Sequence, residues 1–122
     1  MSKAGTTIEK EARTVVDGVG RTVILQAKGA SLVIRDALNP AQSITLEREE
    51  VEILHAFLSV SLKMPHRSDF SEALLEQKRL ALLQKGDPHV RLSFKGGFID
   101  FYAPSWDPLL CELALLLPRL KG

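Results

Sequence analysis

Basic and aromatic side chains alternate with apolar ones along residues 89–102 of this chain. Because successive side chains of a strand point to opposite faces, two strands joined at Gly96-Gly97 would separate these residues into two sets. One set is apolar and would face a core: Val90, Leu92, Phe94, Ile99 and Phe101. The other set combines cations with two rings: His89, Arg91, Ser93, Lys95, Phe98, Asp100 and Tyr102. Cations attract phosphates and rings stack on unpaired bases, so this second face predicts a surface for single-stranded nucleic acid.

The two rings of that face, Phe98 and Tyr102, have a second interpretation. Aromatic side chains on strands usually pack in a core or against a cross-strand neighbour, and each ring taken alone favours packing under a helix or a partner chain. When the rings are considered together with Arg91 and Lys95, stacking on nucleic-acid bases and packing are favoured about equally. An open, basic sheet face would favour nucleic acid, and a face covered by the chain's own helices would favour a protein-interaction module.

A second hairpin is predicted nearer the N-terminus, from Thr22 to Lys28 and from Ser31 to Asp36, with its turn at Lys28-Gly29-Ala30. Its inward set is apolar: Val23, Leu25, Ala27, Leu32 and Ile34. Its outward set contains two bases and no aromatic ring: Thr22, Ile24, Gln26, Lys28, Val33 and Arg35. This face therefore supports nucleic-acid binding less strongly than the first.

No arrangement typical of catalysis is found in the sequence. The three histidines, His55, His66 and His89, are far apart, and none has a cysteine or second histidine at metal-ligand spacing. The glycines match neither a phosphate-binding loop nor a dinucleotide fingerprint. The single cysteine, Cys111, lies in a leucine run and is predicted to be an inert, buried thiol. We therefore expect a binding protein rather than an enzyme, with no cofactor and no metal.

Composition narrows the class further. The chain has 122 residues, 45% hydrophobic and 25% charged, which suits one globular domain with its own core. Its net charge of +1 excludes a strongly basic nucleic-acid binder, so any electrostatic surface must come from uneven distribution of charge. One cysteine cannot form an intramolecular disulfide, and no stretch is apolar enough to span a bilayer. These features predict a cytoplasmic or nucleoid-associated protein with no membrane partner.

Further elements complete the predicted organisation of the first half. A first strand is expected from about Ile8 to Val16, and a short strand from Ser43 to Leu46 follows an Asn39-Pro40 loop. Thr45 is predicted to cap a helix that begins near Glu47, where acidic side chains favour the helix N-terminus. Met64-Pro65 ends that helix.

In the second half, Asp69 and Glu72 have the spacing of a capping box and predict a helix over 69–84. The uniformly apolar run from Leu80 to Leu83 leaves open a strand in its second half. Ser105 is predicted to cap a last helix that ends at Leu120 and is apolar over most of its girth. Its leucines predict an oligomer interface, most simply in a homodimer or higher homo-oligomer: Leu109, Leu113, Leu116, Leu117 and Leu120.

Together these elements predict an α+β fold, in which a curved antiparallel sheet made of two hairpin-based halves packs on amphipathic helices. Residues 1–7 are predicted to be flexible and 8–122 to form a single domain. The segment from Val23 to Gly29 matches that from Val90 to Gly96 in pattern. Two explanations stand: an internal repeat of 8–64 and 68–122, or two unrelated hairpins that share one core.

The first half resembles a known family. The order of five segments is similar to that in the positive-cofactor type of transcriptional coactivator. These segments are Arg21-Thr22-Val23, Lys28-Gly29, an apolar-apolar-basic-acidic run ending at Arg35-Asp36, a short strand from Ser43 to Leu46, and a helix from Glu47. That family shares its fold with the Pur-alpha and Whirly proteins. The resemblance covers residues 21–62 well and 89–120 loosely.

The resemblance implies single-stranded DNA or RNA binding on the curved sheet and pairing of subunits through the helices. Lys28 and Arg35 correspond to basic strand residues of the family, and Lys95 corresponds to one of them in the second half. The sequence departs from the family in its short, lysine-free 36–43 loop and its extra 69–84 helix.

The resemblance and the pattern of strand faces together select the candidate nucleic-acid-binding residues: Arg21, Lys28, Arg35, Arg91, Lys95, Phe98 and Tyr102. The expected function is sequence-tolerant single-strand binding, as an accessory to transcription or replication; the alternative is a protein-interaction module that acts through its leucine-rich helix.

Overall fold

The computed structural model describes residues 12–16, 22–36, 39–64, 70–74, 77–84 and 86–120. The first half contains four strands and a helix: β1 (Ala12–Val16), β2 (Thr22–Lys28), β3 (Ser31–Asp36), β4 (Asn39–Glu47) and α1 (Arg48–Lys63). The second half contains the same order of elements: β5 (Phe70–Ala73), β6 (Arg79–Leu83), β7 (His89–Phe94), β8 (Gly97–Tyr102) and α2 (Ala103–Leu116), which continues as a short 3₁₀ helix (Leu117–Arg119).

Each group of four strands forms its own antiparallel sheet, in which neighbours in sequence are neighbours in space. The first sheet has the order β1-β2-β3-β4 and the second β5-β6-β7-β8, so β4 and β8 are both edge strands. The predicted α+β class with antiparallel sheets is confirmed. The identical order of elements in the two halves agrees with the repeat hypothesis, which stays a hypothesis.

Both predicted hairpins are present, with their turns where the glycines indicate. Gly29 has φ +62° in the β2–β3 turn, a left-handed conformation that glycine adopts without steric cost. The β7–β8 turn contains Lys95 and Gly96, and Gly97 already begins β8. Most residues predicted to face inward are buried: Val23, Leu25, Leu32, Ile34, Val90, Leu92, Ile99 and Phe101. Ala27 and Phe94 pack against that core while partly buried.

The helix predicted over 69–84 is wrong. Its residues form the strands β5 and β6, which pair antiparallel from Phe70 opposite Leu82 to Ala73 opposite Arg79. The chain reverses near Gln77, whose φ of +65° is left-handed although the residue is not glycine. Packing decides the outcome, because Leu80 and Leu82 are fully buried and point to the core as alternating strand residues.

The strand predicted from Ser43 to Leu46 is longer than expected. It runs as β4 over Asn39–Glu47, so Asn39-Pro40 lies within a strand and not in a loop. Proline, which lacks an N–H, is tolerated there because β4 is an edge strand. The side of an edge strand that has no neighbouring strand makes no inter-strand hydrogen bonds that a proline could remove. β1 covers Ala12–Val16 of the strand predicted from Ile8; residues 8–11, like the predicted flexible residues 1–7, lie outside the described residues.

Both predicted helix caps are also corrected. The N-cap of α1 is Glu47 and not Thr45, and a capping box joins it to Glu50, whose Oε1 accepts a hydrogen bond of 3.0 Å from the Glu47 N–H. α2 begins at Ala103 with Tyr102 as its N-cap. The Ser105 hydroxyl, predicted to cap this helix, instead lies inside its first turn and donates to the Tyr102 carbonyl at 2.7 Å.

One core joins the two halves. The apolar faces of both sheets and of both helices contribute to a single cluster of buried side chains, with Trp106 and Phe101 among the largest. Trp106 satisfies its indole N–H within this core by donating to the Phe101 carbonyl at 2.7 Å. Burying each such side chain fully stabilises the fold by about 1.5–3 kcal/mol.

The leucines predicted to form an oligomer interface contribute to this same core. Leu109, Leu113, Leu116 and Leu120 are buried by the chain itself, and Leu117 packs against them while partly buried. The buried leucines of α2 are therefore accounted for within one chain and give no argument for a second subunit. The prediction that Cys111 is buried is wrong: its thiol lies on the exposed side of α2.

Candidate nucleic-acid interface

The outer face of the second sheet carries the strongest group of predicted binding residues. Antiparallel register places three cross-strand pairs there: His89 with Tyr102, Arg91 with Asp100, and Ser93 with Phe98. Their side chains point away from the core because the intervening residues of β7 and β8 are the buried ones. We call the pair at the centre of this face, Arg91 and Phe98, the platform.

Arg91 is held in this platform by two contacts. Its Nε and Nη2 donate to the two carboxylate oxygens of Asp100 at 2.8 and 3.1 Å, a bidentate pair. Its guanidinium carbon lies 3.9 Å from the centre of the Phe98 ring, within the range of a cation–π contact. The hydrogen bonds to Asp100 raise the pKa of Arg91 above its usual value despite partial burial, so the guanidinium stays charged. Asp100 fixes its orientation and also offsets part of its charge.

Phe98 is the most accessible ring of this face, with 46% of the residue exposed. The Arg91 guanidinium covers part of this ring, and the remaining exposed surface is available to stack on a planar ligand. Its backbone N–H donates to the side-chain Oε1 of Gln42 at 3.0 Å, which connects β8 of the second sheet to β4 of the first. The platform therefore lies beside the place where the two edge strands meet.

Tyr102 is less available than its sequence position suggests. Its ring stacks on His89, with centroids 5.0 Å apart and an interplanar angle of 27°. His89 is itself buried, and its Nδ1 lies 2.9 Å from the Asp87 carbonyl oxygen. Because one face of the tyrosine ring is taken by this histidine, Tyr102 offers a ligand only its remaining surface.

The predicted basic residues of the first sheet belong to β2 and β3, and the register places Arg35 opposite Ser43 of β4. Lys28 is exposed at the end of β2, and Arg35 is half-buried on the outer face of β3. The Arg35 Nη2 donates to Gln26, and its Nε is buried without a hydrogen-bond partner among the described residues. The Arg35 side chain therefore lies mainly against the sheet surface, and less of it is open to solvent. Arg21 lies outside the described residues.

Arg79 was missed by the sequence interpretation. It is exposed at the start of β6, and the register places it opposite Ser93, next to the platform. Its Nη1 donates to the Ser71 hydroxyl at 3.1 Å. The predicted helix over 69–84 concealed this position, and the strand alternative based on Leu80 to Leu83 would have revealed it.

A groove opens between β4 and the β7–β8 turn, with a volume of about 430 Å³. We call it the inter-sheet groove, and its walls are Ser43, Ile44, Thr45, Lys78, Phe94, Lys95 and Gly96. Lys95 is exposed at its rim, and the Ser43 and Thr45 residues are exposed on β4. The Lys78 ammonium is already bound by the two carboxylate oxygens of Glu50, at 3.0 and 3.2 Å, and by the Thr45 carbonyl at 3.1 Å.

The described part of the chain contains neither a candidate metal centre nor a candidate membrane-spanning helix. Within it, no group of three or more histidine, cysteine, aspartate or glutamate side chains could hold a metal ion. None of its helices is both long and apolar enough to cross a membrane. The site and fold thus define an α+β protein with two four-stranded antiparallel sheets and an arginine–aromatic platform. No family model and no curated protein sequence matches the chain.

Proposed function

We propose that this protein binds single-stranded DNA or RNA with little sequence preference, through the outer face of its second sheet. The observation that carries the proposal is the platform: the charged guanidinium of Arg91 lies over a phenylalanine ring, 3.9 Å from its centre, and that residue is 46% exposed on an antiparallel sheet. Such a pair offers a phosphate a cation and an unpaired base a ring. Asp100 supports the pair by orienting Arg91 in advance, so less side-chain freedom is lost when a strand binds.

The same geometry favours a single strand over a duplex. Stacking on Phe98 needs a base whose face is free, and the bases of a duplex are already stacked on each other. The face of a four-stranded sheet is also broader than the α-helix or two-stranded ribbon that fits a major groove. Because every base has an aromatic face, stacking gives affinity without a strong sequence preference.

The charge of the protein limits how tight this binding can be. The net charge is +1, and the cation of Arg91 is partly offset by Asp100. Few phosphates can therefore be neutralised, so we propose modest affinity and modest salt dependence. These properties suit an accessory role in transcription or replication, in the cytoplasm or nucleoid, by a protein without enzymatic activity of its own.

A second candidate function is protein interaction through the exposed side of α2. Leu115 is 59% exposed there, and Cys111 and Ala114 are exposed beside it. Exposed apolar side chains that lie together often mark a contact with another protein. This second candidate is compatible with nucleic-acid binding, because α2 and the platform use different surfaces.

The experiment that tests the proposal is a fluorescence anisotropy titration of a labelled single-stranded thirty-mer and its duplex, at two salt concentrations. We expect the single strand to bind more tightly, and Phe98→Leu to weaken binding while Phe98→Tyr, which keeps a ring, does not. Loss of one stacked base should cost about 1–3 kcal/mol. Equal affinity for the duplex, or no signal at high micromolar protein and low salt, would remove the proposal.

A further inference from the structure

We infer that the inter-sheet groove is a nucleotide subsite, which holds one nucleotide of the bound strand with its phosphate at Lys95. This inference rests on the proposed function and extends it from the platform to the groove beside it. The groove volume of about 430 Å³ falls within the range of sites for small ligands.

The groove walls supply three kinds of contact that a nucleotide can use. Lys95 is an exposed cation at the rim, where a phosphate can meet it while remaining partly solvated. The hydroxyls of Ser43 and Thr45 can donate hydrogen bonds to phosphate or sugar oxygens. The Phe94 ring, which is half-buried in the wall, offers apolar surface to a base.

The second lysine of the groove has a structural role. Glu50 and the Thr45 carbonyl hold the Lys78 ammonium, so its charge is compensated and its position fixed. The charge available to a ligand is therefore concentrated at Lys95, on the side that faces the β7–β8 turn. Gly96, next to it, has no side chain to fill the opening; even a Cβ there would meet only the Phe94 ring, at 3.8 Å.

Gln42 shows that the inter-sheet groove and the platform lie next to each other. Its side chain accepts the hydrogen bond from the Phe98 N–H, and the next residue along β4, Ser43, lines the groove. A strand that stacks a base on Phe98 can therefore place an adjacent nucleotide in the groove without crossing the core.

The test uses the full chain with two carboxylates of equal charge placed at different sites. Thr45→Glu puts a negative charge in the groove, on an exposed strand position; Ala56→Glu puts the same charge on the exposed side of α1. We expect Thr45→Glu to weaken single-strand binding by about tenfold or more, because like charges in contact repel strongly. Ala56→Glu, far from the groove and screened by salt, should change it by less than about twofold. If Thr45→Glu fails to fold by circular dichroism, Lys95→Glu at the exposed turn replaces it.

A direct measurement separates the groove from the platform. In nitrogen-15 nuclear magnetic resonance spectra, thymidine 5′-monophosphate should shift the amide signals of Ser43, Thr45 and Gly96, and thymidine alone or inorganic phosphate should shift them less. Equal shifts with inorganic phosphate would overturn the nucleotide assignment. If the wild type binds the strand and Thr45→Glu binds it as tightly as Ala56→Glu, the groove inference fails and the proposed function stands. If the monophosphate shifts these signals but no strand binds, the proposed function fails and the groove remains a mononucleotide site.

Discussion

Leu113 and Leu115 lie two residues apart on α2 and on opposite sides of the core boundary. Leu113 is completely buried, whereas Leu115 is 59% exposed. An α-helix advances about 100° per residue, so positions two apart face nearly opposite directions. This pair shows which side of the leucine-rich helix holds the fold together and which side is open to other molecules.

The pair gives a matched test of the core. Leu113→Asp should unfold the protein, because it places an unpaired carboxylate among apolar side chains. Leu115→Asp, the same change on the exposed side, should shift the melting temperature little. Thermal unfolding followed by circular dichroism measures both, and equal destabilisation by the two variants would contradict this assignment of the helix faces.

We predict a homodimer in which the exposed side of α2 forms the contact, in place of the buried leucines. Light scattering at micromolar concentration should give about twice the chain mass of 13.5 kDa. Leu115→Asp should return the mass to that of one chain without loss of helix signal, because charge at the centre of an apolar contact is costly. A mass of 13.5 kDa for the wild type would exclude the dimer.

The buried ion pair between Glu50 and Lys78 should stabilise the fold far more than an exposed pair on the same helix. Glu50 is 1% exposed and accepts from Lys78, while Glu52 is 58% exposed and lies 3.9 Å from Arg48. Glu50→Gln keeps the acceptor of the capping box but removes the charge that pairs with Lys78. We expect it to lower the free energy of unfolding by about 3 kcal/mol, and Glu52→Gln by at most about 0.5 kcal/mol. Urea titrations measure both changes. Equal losses in the free energy of unfolding for Glu50→Gln and Glu52→Gln would show that the Lys78 pair stabilises the fold no more than the exposed pair does.

Cys111 should be reactive but dispensable. Its thiol lies on the side of α2 that the predicted dimer would cover, so a thiol-specific chromogenic reagent should titrate it without denaturant in Leu115→Asp and more slowly in the wild-type dimer. Cys111→Ser should keep both the melting temperature and strand binding, since no core contact is lost. A thiol that reacts only after unfolding even in Leu115→Asp would mean that this side of α2 is covered within one chain.

Salt dependence should distinguish charge from stacking. Lys95→Ala should lower the slope of log affinity against log salt by about 0.7, the value for one phosphate contact with a single strand. Tyr102→Ala should weaken binding and leave the slope unchanged, because a ring carries no charge. Lys63→Ala, an exposed lysine at the end of α1, serves as the control. A fall in slope with Lys63→Ala as large as with Lys95→Ala would mean that the contacts are diffuse.

The hairpins were predictable because local signals agreed with their tertiary setting. In β7 and β8, Val90, Leu92, Ile99 and Phe101 are buried at alternate positions, and the residues between them, Phe98 included, are exposed or half-buried. Turn glycines stand where the chain reverses, and Gly29 has the positive φ that its turn requires. Local sequence thus determined both the strands and the faces that carry the platform.

The segment 70–83 was not predictable in this way, because its local and tertiary preferences conflict. Leucine and alanine favour helix, and Ala81 and Leu83 are apolar on the outer side of β6, so no alternation is visible. The reversal at Gln77 uses neither glycine nor proline. Only pairing with β7 explains the strand, and the position of Arg79 depends on that pairing.

The inter-sheet groove could not be predicted from sequence because it is made by residues distant in the chain. Gln42 and Phe98 are 56 positions apart, and Lys78 and Glu50 are 28 apart. No periodicity or short motif records such contacts. They arise where two separately formed sheets meet at their edges, and only the folded chain specifies them.

The contact between Lys78 and the Thr45 carbonyl also bears on solubility. An edge strand such as β4 exposes backbone groups to which a strand of another molecule could add, and this is a common route to aggregation. By occupying the Thr45 carbonyl, Lys78 interrupts that edge with a charged side chain. Removing this lysine would therefore have two effects. The fold would lose a buried ion pair, and the β4 edge near Thr45 would be open to pairing with a strand of another molecule.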